Sequence, residues 1–139
     1  MSKRRKPQPV PESCPCGLPA NYVDCCGRLH RGEASATTAE QLMRSRFSAF
    51  AVRDEAYLLR SWDPSTWPAD VDFDPGMRWE RLEIVGSTGG GPFHTEGTVE
   101  FRAHYRSNGQ PGALHENSRF RRDNGAWVYL DGVVDYSGA

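Results

Sequence analysis

The apolar positions in the first half of the chain recur with the period of an α-helix. The stretch that follows Thr37 carries apolar side chains three and four residues apart, which predicts a helix with one apolar face that ends near Val52. These side chains are Leu42, Met43, Phe47, Phe50 and Ala51. Thr37 and Glu40 have the spacing of a capping box, so we expect Thr37 to be the N-cap. Asp54 is the predicted N-cap of a second, shorter helix.

Beyond a proline-rich loop at residues 64–75 the period changes to two, which predicts β-strands. Four such runs follow, at residues 79–85, 95–105, 113–122 and 127–134. The dipeptides Asn108-Gly109 and Asn124-Gly125 between them predict tight hairpin turns. Helices followed by hairpin-connected strands are typical of the α+β class. We therefore expect two or three helices packed on a curved four-stranded antiparallel sheet.

The sequence shows no targeting or membrane segment. Hydrophobic residues make up 37% of the 139 residues. The mean hydropathy is −0.67. The N-terminus is basic but runs into proline and glutamine without an apolar stretch behind it. These features predict a soluble protein of the cytoplasm that has no contact with a membrane.

The charge is divided unevenly along the chain, although the net charge is −1. Residues 1–31 carry six basic and two acidic side chains, a net of +4, and the remainder carries eleven basic and sixteen acidic ones, a net of −5. The six basic residues are Lys3, Arg4, Arg5, Lys6, Arg28 and Arg31. They predict an anionic partner, either an acidic protein surface or, as the less favoured alternative, nucleic acid. The simplest alternative is a solvated, disordered leader at residues 1–12.

All of the cysteines lie close together near the N-terminus, as Cys14-Pro-Cys16 and Cys25-Cys26. Two short thiol pairs across a turn are the ligand set of a tetrahedral Zn²⁺ site, whose four filled positions make it structural. Two disulfides are the alternative, but a bond between adjacent cysteines would be strained. Thiols stay reduced in the cytosol, so the pattern favours metal.

The same segment resembles the SEC-C motif, the zinc knuckle of the preprotein translocase motor, whose pattern is C-x-C, eight residues, then C-C or C-H. The longer runs TAEQLMRSRFSAF at 38–50, WDP at 62–64 and LHENSRF at 114–120 are similar to the uncharacterised bacterial YchJ-like family. The motif spacing favours Cys26 as the fourth ligand over the alternative, His30. This chain departs from the motif at Leu18-Pro19-Ala20, where the motif usually continues with Ser-Gly and a basic residue.

The resemblance implies a knuckle at residues 13–32 fused to a cone-shaped, nuclear-transport-factor-2-like domain at 33–139. That group also contains ketosteroid isomerases and dehydratases, which work in the pocket of the cone. On this basis we expect a pocket lined by one helix arginine and six aromatic side chains. They are Arg44, Phe47, Trp62, Trp79, Phe101, Phe120 and Trp127.

Strand alternation places Glu116 and Ser118 on the same face as Phe120. With Tyr105 they form the candidate proton-transfer group, because a carboxyl among apolar neighbours has a raised pKa. A structural network is the commoner role for such a buried Glu. The function we favour is therefore a protein-interaction or adaptor module. The first alternative is a small-molecule-binding protein or an isomerase- or dehydratase-like enzyme that uses the cone pocket. The second is nucleic-acid or ribosome binding through the leader.

Overall fold

The computed structural model of the protein describes residues 11–138, with side chains as far as Asp135. The basic residues Lys3, Arg4, Arg5 and Lys6 lie outside the described residues, so their predicted partner contact stays a prediction.

Three α-helices precede the sheet. The cysteine segment contains a 3-10 turn (Tyr22–Asp24) and the short helix α1 (Cys26–His30), and it is followed by α2 (Ala39–Val52) and α3 (Glu55–Arg60). None of the helices in the described part of the chain has the length and apolar character that a membrane crossing requires.

The two N-caps illustrate how local sequence sets these boundaries. The predicted cap Asp54 is confirmed, since its Oδ1 accepts a 3.0 Å hydrogen bond from the Tyr57 N–H. The predicted cap Thr37 is wrong by one residue. Thr38 Oγ1 accepts from the Gln41 N–H at 3.0 Å, while Gln41 Oε1 accepts from the Thr37 N–H at 2.7 Å. Gln41 therefore supplies the returning side chain instead of Glu40.

The sheet consists of four antiparallel strands in the order of the sequence: β1 (Met77–Gly89), β2 (Glu96–Ser107), β3 (Gln110–Asp123) and β4 (Ala126–Gly138). Both predicted Asn-Gly turns are present, with φ of 52° at the asparagine and 85° at the glycine, as a type I′ turn requires. Register shifts in β1 and between β3 and β4 bend the sheet. The α+β class and the curved antiparallel sheet are confirmed.

α2 is the centre of the molecule and is buried on more than one side. Met43 and Phe47 pack with the concave face of the sheet, where the main core lies. The small residues Ser45, Ser48 and Ala49 are fully buried as well, because α1 and α3 pack on the other side of the helix. The sequence pattern predicted only the first of these faces.

The segment after α3 is fixed to the last strand. The Tyr129 N–H donates to the Ser61 carbonyl at 2.9 Å, and the Asp63 N–H donates to the Tyr129 carbonyl at 2.8 Å. The buried carboxylate of Asp63 forms an ion pair with Arg121 on β3. These contacts hold Trp62 beside Tyr129, with their ring centroids 5.3 Å apart.

Candidate functional site

Four cysteine sulfurs meet at the N-terminal end of the described chain. The Sγ atoms of Cys14, Cys16, Cys25 and Cys26 all lie within 4.8 Å of one another, and those of Cys16 and Cys25 are 3.7 Å apart. None of the four takes part in a disulfide. Cys14 and Cys16 lie in a turn that is closed by a 2.9 Å hydrogen bond from the Cys14 N–H to the Ala20 carbonyl. Cys25 and Cys26 lie at the start of α1.

The electrostatics of the cluster oppose full ionisation without a cation. Hydrogen bonds from the Cys16 and Cys26 thiols lower the pKa of Cys14. The hydrogen bond to Cys14, together with burial, raises the pKa of Cys16 to about 12, and the contacts with Cys14 and Cys16 raise the pKa of Cys26 as well. Among Cys14, Cys16 and Cys26 one thiolate is therefore favoured and a second or third is not, so full ionisation of these three needs a bound cation. Four sulfur donors at these separations fit a tetrahedral metal ion.

His30, the alternative fourth ligand, lies outside this group. Its Nε2 is 2.9 Å from the Ser45 carbonyl and its Nδ1 is 2.5 Å from the Tyr22 hydroxyl. Because a carbonyl only accepts, Nε2 carries the proton and Nδ1 accepts from Tyr22. Burial lowers the pKa of His30, which favours this neutral form. Both ring nitrogens thus have protein partners, and the imidazole joins the knuckle to α2.

Hydrogen bonds from side chains of α2 and α3 fasten the knuckle to the helices. Arg44 Nη1 donates to the Cys16 carbonyl at 2.7 Å, and the Ser48 hydroxyl lies 3.5 Å from the Cys14 sulfur. Arg60 Nη2 donates to the carbonyls of Leu29 and His30, at 3.0 and 2.8 Å. Arg44 and Ser48 are four residues apart, so they lie on one face of α2, and that spacing is the only signal by which they could have been found.

The two arginines predicted to bind an anion differ in their surroundings. Arg28 is exposed, and its Nε donates to the Asp24 carbonyl at 3.0 Å. Arg31 is exposed too, but its Nε and Nη2 donate to the Glu33 carboxylate at 2.7 and 3.0 Å. The charge of Arg31 is therefore already balanced within the chain.

A second feature is a cavity of about 260 Å³ between α2 and the concave face of the sheet. Four of the predicted pocket residues line it: Phe47, Trp62, Trp79 and Phe101. Three do not. Arg44 points to the knuckle, Phe120 is buried in the main core, and Trp127 lies at the other end of α2, where its Nε1 donates to the Thr37 carbonyl at 3.2 Å.

The polar group of the cavity contains Glu116 and Ser118 as predicted, but its tyrosine is Tyr129 instead of Tyr105. Glu116 Oε2 accepts from the Ser118 hydroxyl at 2.6 Å and from the Tyr129 hydroxyl at 2.8 Å. Burial and the neighbouring Glu116 carboxyl raise the pKa of Tyr129, which keeps its donor proton in place. Tyr105 is not a member, because its ring lies against Trp79 with centroids 5.3 Å apart. A side chain at Gly132, opposite Ser118 on β4, would overlap the Glu116 carboxyl.

Arg46 is the arginine of α2 that does line the cavity. Its guanidinium lies 4.8 Å from the ring centre of Trp62 and 4.7 Å from that of Tyr129. Nη1 donates to the Leu58 carbonyl at 2.9 Å and to the Ser61 hydroxyl at 2.7 Å. Burial lowers the pKa of Arg46 to about 10, so the group is still a cation at neutral pH.

Comparison with known proteins agrees with this architecture. A sequence model of the family described as "YchJ, middle NTF2-like domain" matches residues 38–132. The chain belongs to this YchJ-like family. A UPF0225 protein of Streptomyces avermitilis is 61% identical over 131 residues, which cover 94% of this chain and 91% of the relative.

Two solved structures resemble the YchJ-like chain over most of its length. The solution structure of a SEC-C motif containing protein from Rhodopseudomonas palustris is 35% identical, with a TM-score of 0.76 over 86% of this chain and 96% of that one. The crystal structure of a SEC-C motif containing protein from Psychrobacter arcticus is 28% identical, with a TM-score of 0.71 over 91% and 84%. The predicted family and fold are confirmed.

Proposed function

We propose that the four cysteines bind one structural Zn²⁺ and that the zinc-held knuckle serves as a protein-interaction module. An all-sulfur set of four donors suits zinc, and the filled coordination shell leaves no open position for a reacting water. Cys14, Cys16 and Cys26 are buried, so the ion would support the packing of the knuckle on α2. The knuckle would then be held rigidly in one orientation.

The observation that carries the interaction proposal is the two-sided character of the knuckle. One side of the knuckle is buried against α2, while the apolar residues Leu18 and Val23 are left exposed, with exposed fractions of 43% and 48%. Leu18 lines the same surface groove as Arg28. Exposed apolar side chains near a charged residue are typical of interaction surfaces. The exposed cation favours a protein partner with an acidic surface, such as a chaperone or a ribosomal protein.

Affinity capture from a bacterial lysate tests this proposal when baits that are altered at the knuckle are compared with a bait that is altered elsewhere. The baits are the wild-type protein, its zinc-stripped form, the double variant Leu18→Ser/Val23→Ser, and Val133→Ser as a control on the exposed side of β4. We expect the same protein on the wild-type and control baits and its loss from the other two. Equal capture by all four baits would remove the knuckle from consideration as the contact surface.

The two alternatives have less support among the described residues. The candidate group for the isomerase- or dehydratase-like enzyme was Glu116, Ser118 and Tyr105. Glu116 and Ser118 line the cavity together, but Tyr105 lies outside the group. Nucleic-acid or ribosome binding rests on Lys3, Arg4, Arg5 and Lys6, which lie outside the described residues. It predicts binding to RNA that weakens steeply with salt and is lost when residues 1–6 are removed.

A further inference from the structure

The cone cavity contains two oppositely charged side chains among aromatic ones. Arg46 is 3% exposed and Glu116 is 8% exposed, and both line the cavity. Burying a charge is unfavourable unless the group is paired and hydrogen-bonded. Each of the two is held on one side only, Arg46 by the end of α3 and Glu116 by Ser118 and Tyr129.

The other side of each group keeps hydrogen-bonding capacity. Among the described residues, Arg46 Nε and Nη2 and Glu116 Oε1 have no hydrogen bond, whereas Arg46 Nη1 and Glu116 Oε2 each have two. No fully buried side-chain nitrogen or oxygen in the described part of the chain lacks a partner. The three atoms therefore retain accessible surface, and the cavity is the space that both side chains line. The cavity thus offers donors from Arg46 and an acceptor from Glu116.

Tyr129 sets the spacing of the two groups. Its ring lies 4.7 Å from the Arg46 guanidinium carbon, and its hydroxyl donates to Glu116 at 2.8 Å. The cation thus lies over the ring of Tyr129, and the carboxyl lies at the hydroxyl of the same side chain. Their charges offset each other, so a ligand with a net charge would be desolvated without a counter-charge of its own. A neutral ligand avoids this cost.

The remaining lining indicates the shape of the ligand. It is aromatic and aliphatic, with Phe47, Phe50, Trp62, Trp79 and Phe101 as its large members. An apolar cavity of about 150 Å³ is large enough for benzene. The 260 Å³ found here therefore suits one substituted aromatic ring.

We propose that the cone cavity binds a small, neutral, planar aromatic molecule that carries a hydrogen-bond acceptor and a donor side by side on one edge, as in an aromatic primary amide or lactam. The carbonyl accepts from Arg46 and the N–H donates to Glu116. The ring packs among Phe47, Trp62 and Trp79. The proposal is independent of the metal knuckle and of any partner bound there.

Tryptophan fluorescence provides the readout, because Trp62 and Trp79 line the cavity. The probes are benzamide, benzoate and toluene, which share the ring and differ in the polar edge. We expect saturable quenching by benzamide and binding about tenfold weaker for benzoate and for toluene, the value of one hydrogen bond to a charged group. Equal binding of all three, tighter binding of benzoate, or the absence of saturable binding would overturn the proposal.

Substitutions at two neighbouring valines test whether benzamide binds in the cavity. Val134 lines the cavity and is 44% exposed, so it lies at the mouth, whereas Val133 is 79% exposed and does not line it. Val134→Trp should block benzamide binding, and Val133→Trp, the same change on the adjacent residue, should leave it intact. Loss in both variants or in neither would place the probe elsewhere and contradict the proposal.

The role of Glu116 as the acceptor is tested by the relative affinities for benzamide and benzoate. Glu116→Gln removes the negative charge and leaves Arg46 unbalanced, so benzoate should become the tighter ligand. The control is Glu100→Gln, because Glu100 pairs with His115 at 2.6 Å and does not line the cavity. It should keep the wild-type order of affinities. If Glu116→Gln also keeps that order, Glu116 does not contact the ligand and the proposal fails.

Discussion

Arg44 on α2 donates a 2.7 Å hydrogen bond to the carbonyl of Cys16, so a helix of the cone domain holds the turn that carries two of the metal-site sulfurs. Its Nε donates to Glu40 at 3.0 Å one turn earlier, which orients the guanidinium. The position of the knuckle therefore depends on side chains of the cone domain and not on the four cysteines alone.

Removing this donor should weaken the folded state. Arg44→Met keeps the aliphatic stem but leaves the Cys16 carbonyl without its charged partner, and we expect a loss of about 1–2 kcal/mol in the free energy of unfolding. Urea denaturation measures it. Arg78→Met is the matched control, since Arg78 is exposed. A loss of the same size in both variants would show that the contact with Cys16 contributes nothing specific.

The buried carboxylate of Asp63 should be important for stability. It pairs with Arg121 and accepts from the Ser65 N–H and hydroxyl at 2.9 Å each. Asp63→Asn should lower the free energy of unfolding by about 1–3 kcal/mol, because Arg121 then loses its counter-charge. Asp131→Asn, which breaks the exposed pair with Arg119, should change it little.

The same residue predicts a dependence on acid pH. The hydrogen bonds from Arg121 lower the pKa of Asp63 below its ordinary value of 3.8. Its contribution to stability is therefore complete above the unfolded pKa and is lost as the pH falls below about 4. Unfolding measured between pH 5 and pH 2 should show the wild type and Asp63→Asn converging. A constant difference across that range would contradict the ion pair.

His30 predicts a second pH dependence, with its effect nearer neutrality. Burial lowers the pKa of His30 from 6.5, so the unfolded chain takes up a proton before the folded chain does. Stability is then complete above about pH 6.5 and falls as the pH decreases through that value. His30→Gln, which cannot titrate, should lose less stability between pH 7 and pH 5 than the wild type. Parallel curves for the two proteins would exclude His30 as the source.

The sequence predicted the class and order of the elements because its signals are local. Alternation, the two Asn-Gly turns and the helical period of residues such as Phe47 depend only on neighbouring positions. Cone shape came from family resemblance and not from the pattern. The Thr37 cap was missed by one residue because Gln41 and Glu40 are both able to return a hydrogen bond.

The site was only partly predictable, for two physical reasons. Helical geometry places Arg44 and Arg46 on opposite sides of α2. Because both sides of α2 are buried, the sequence does not show which of the two faces the cone cavity. That depends on where the knuckle packs. Alternation placed Glu116 and Ser118 correctly on the concave face. Counting from the second turn pairs Phe120 with Tyr129 and so places Tyr129 on the face of Glu116. The register shift beyond Phe120, which brings Gly132 opposite Ser118, cannot be read from the sequence.

The most direct test of the account is the zinc content of protein purified without chelator, measured for the wild type, Cys26→Ser and His30→Gln. We expect one zinc ion per chain in the wild type and in His30→Gln, because the imidazole lies outside the sulfur cluster, and loss of zinc from Cys26→Ser. A wild-type protein without zinc, or zinc that is kept by Cys26→Ser and lost from His30→Gln, would contradict the four-thiolate site.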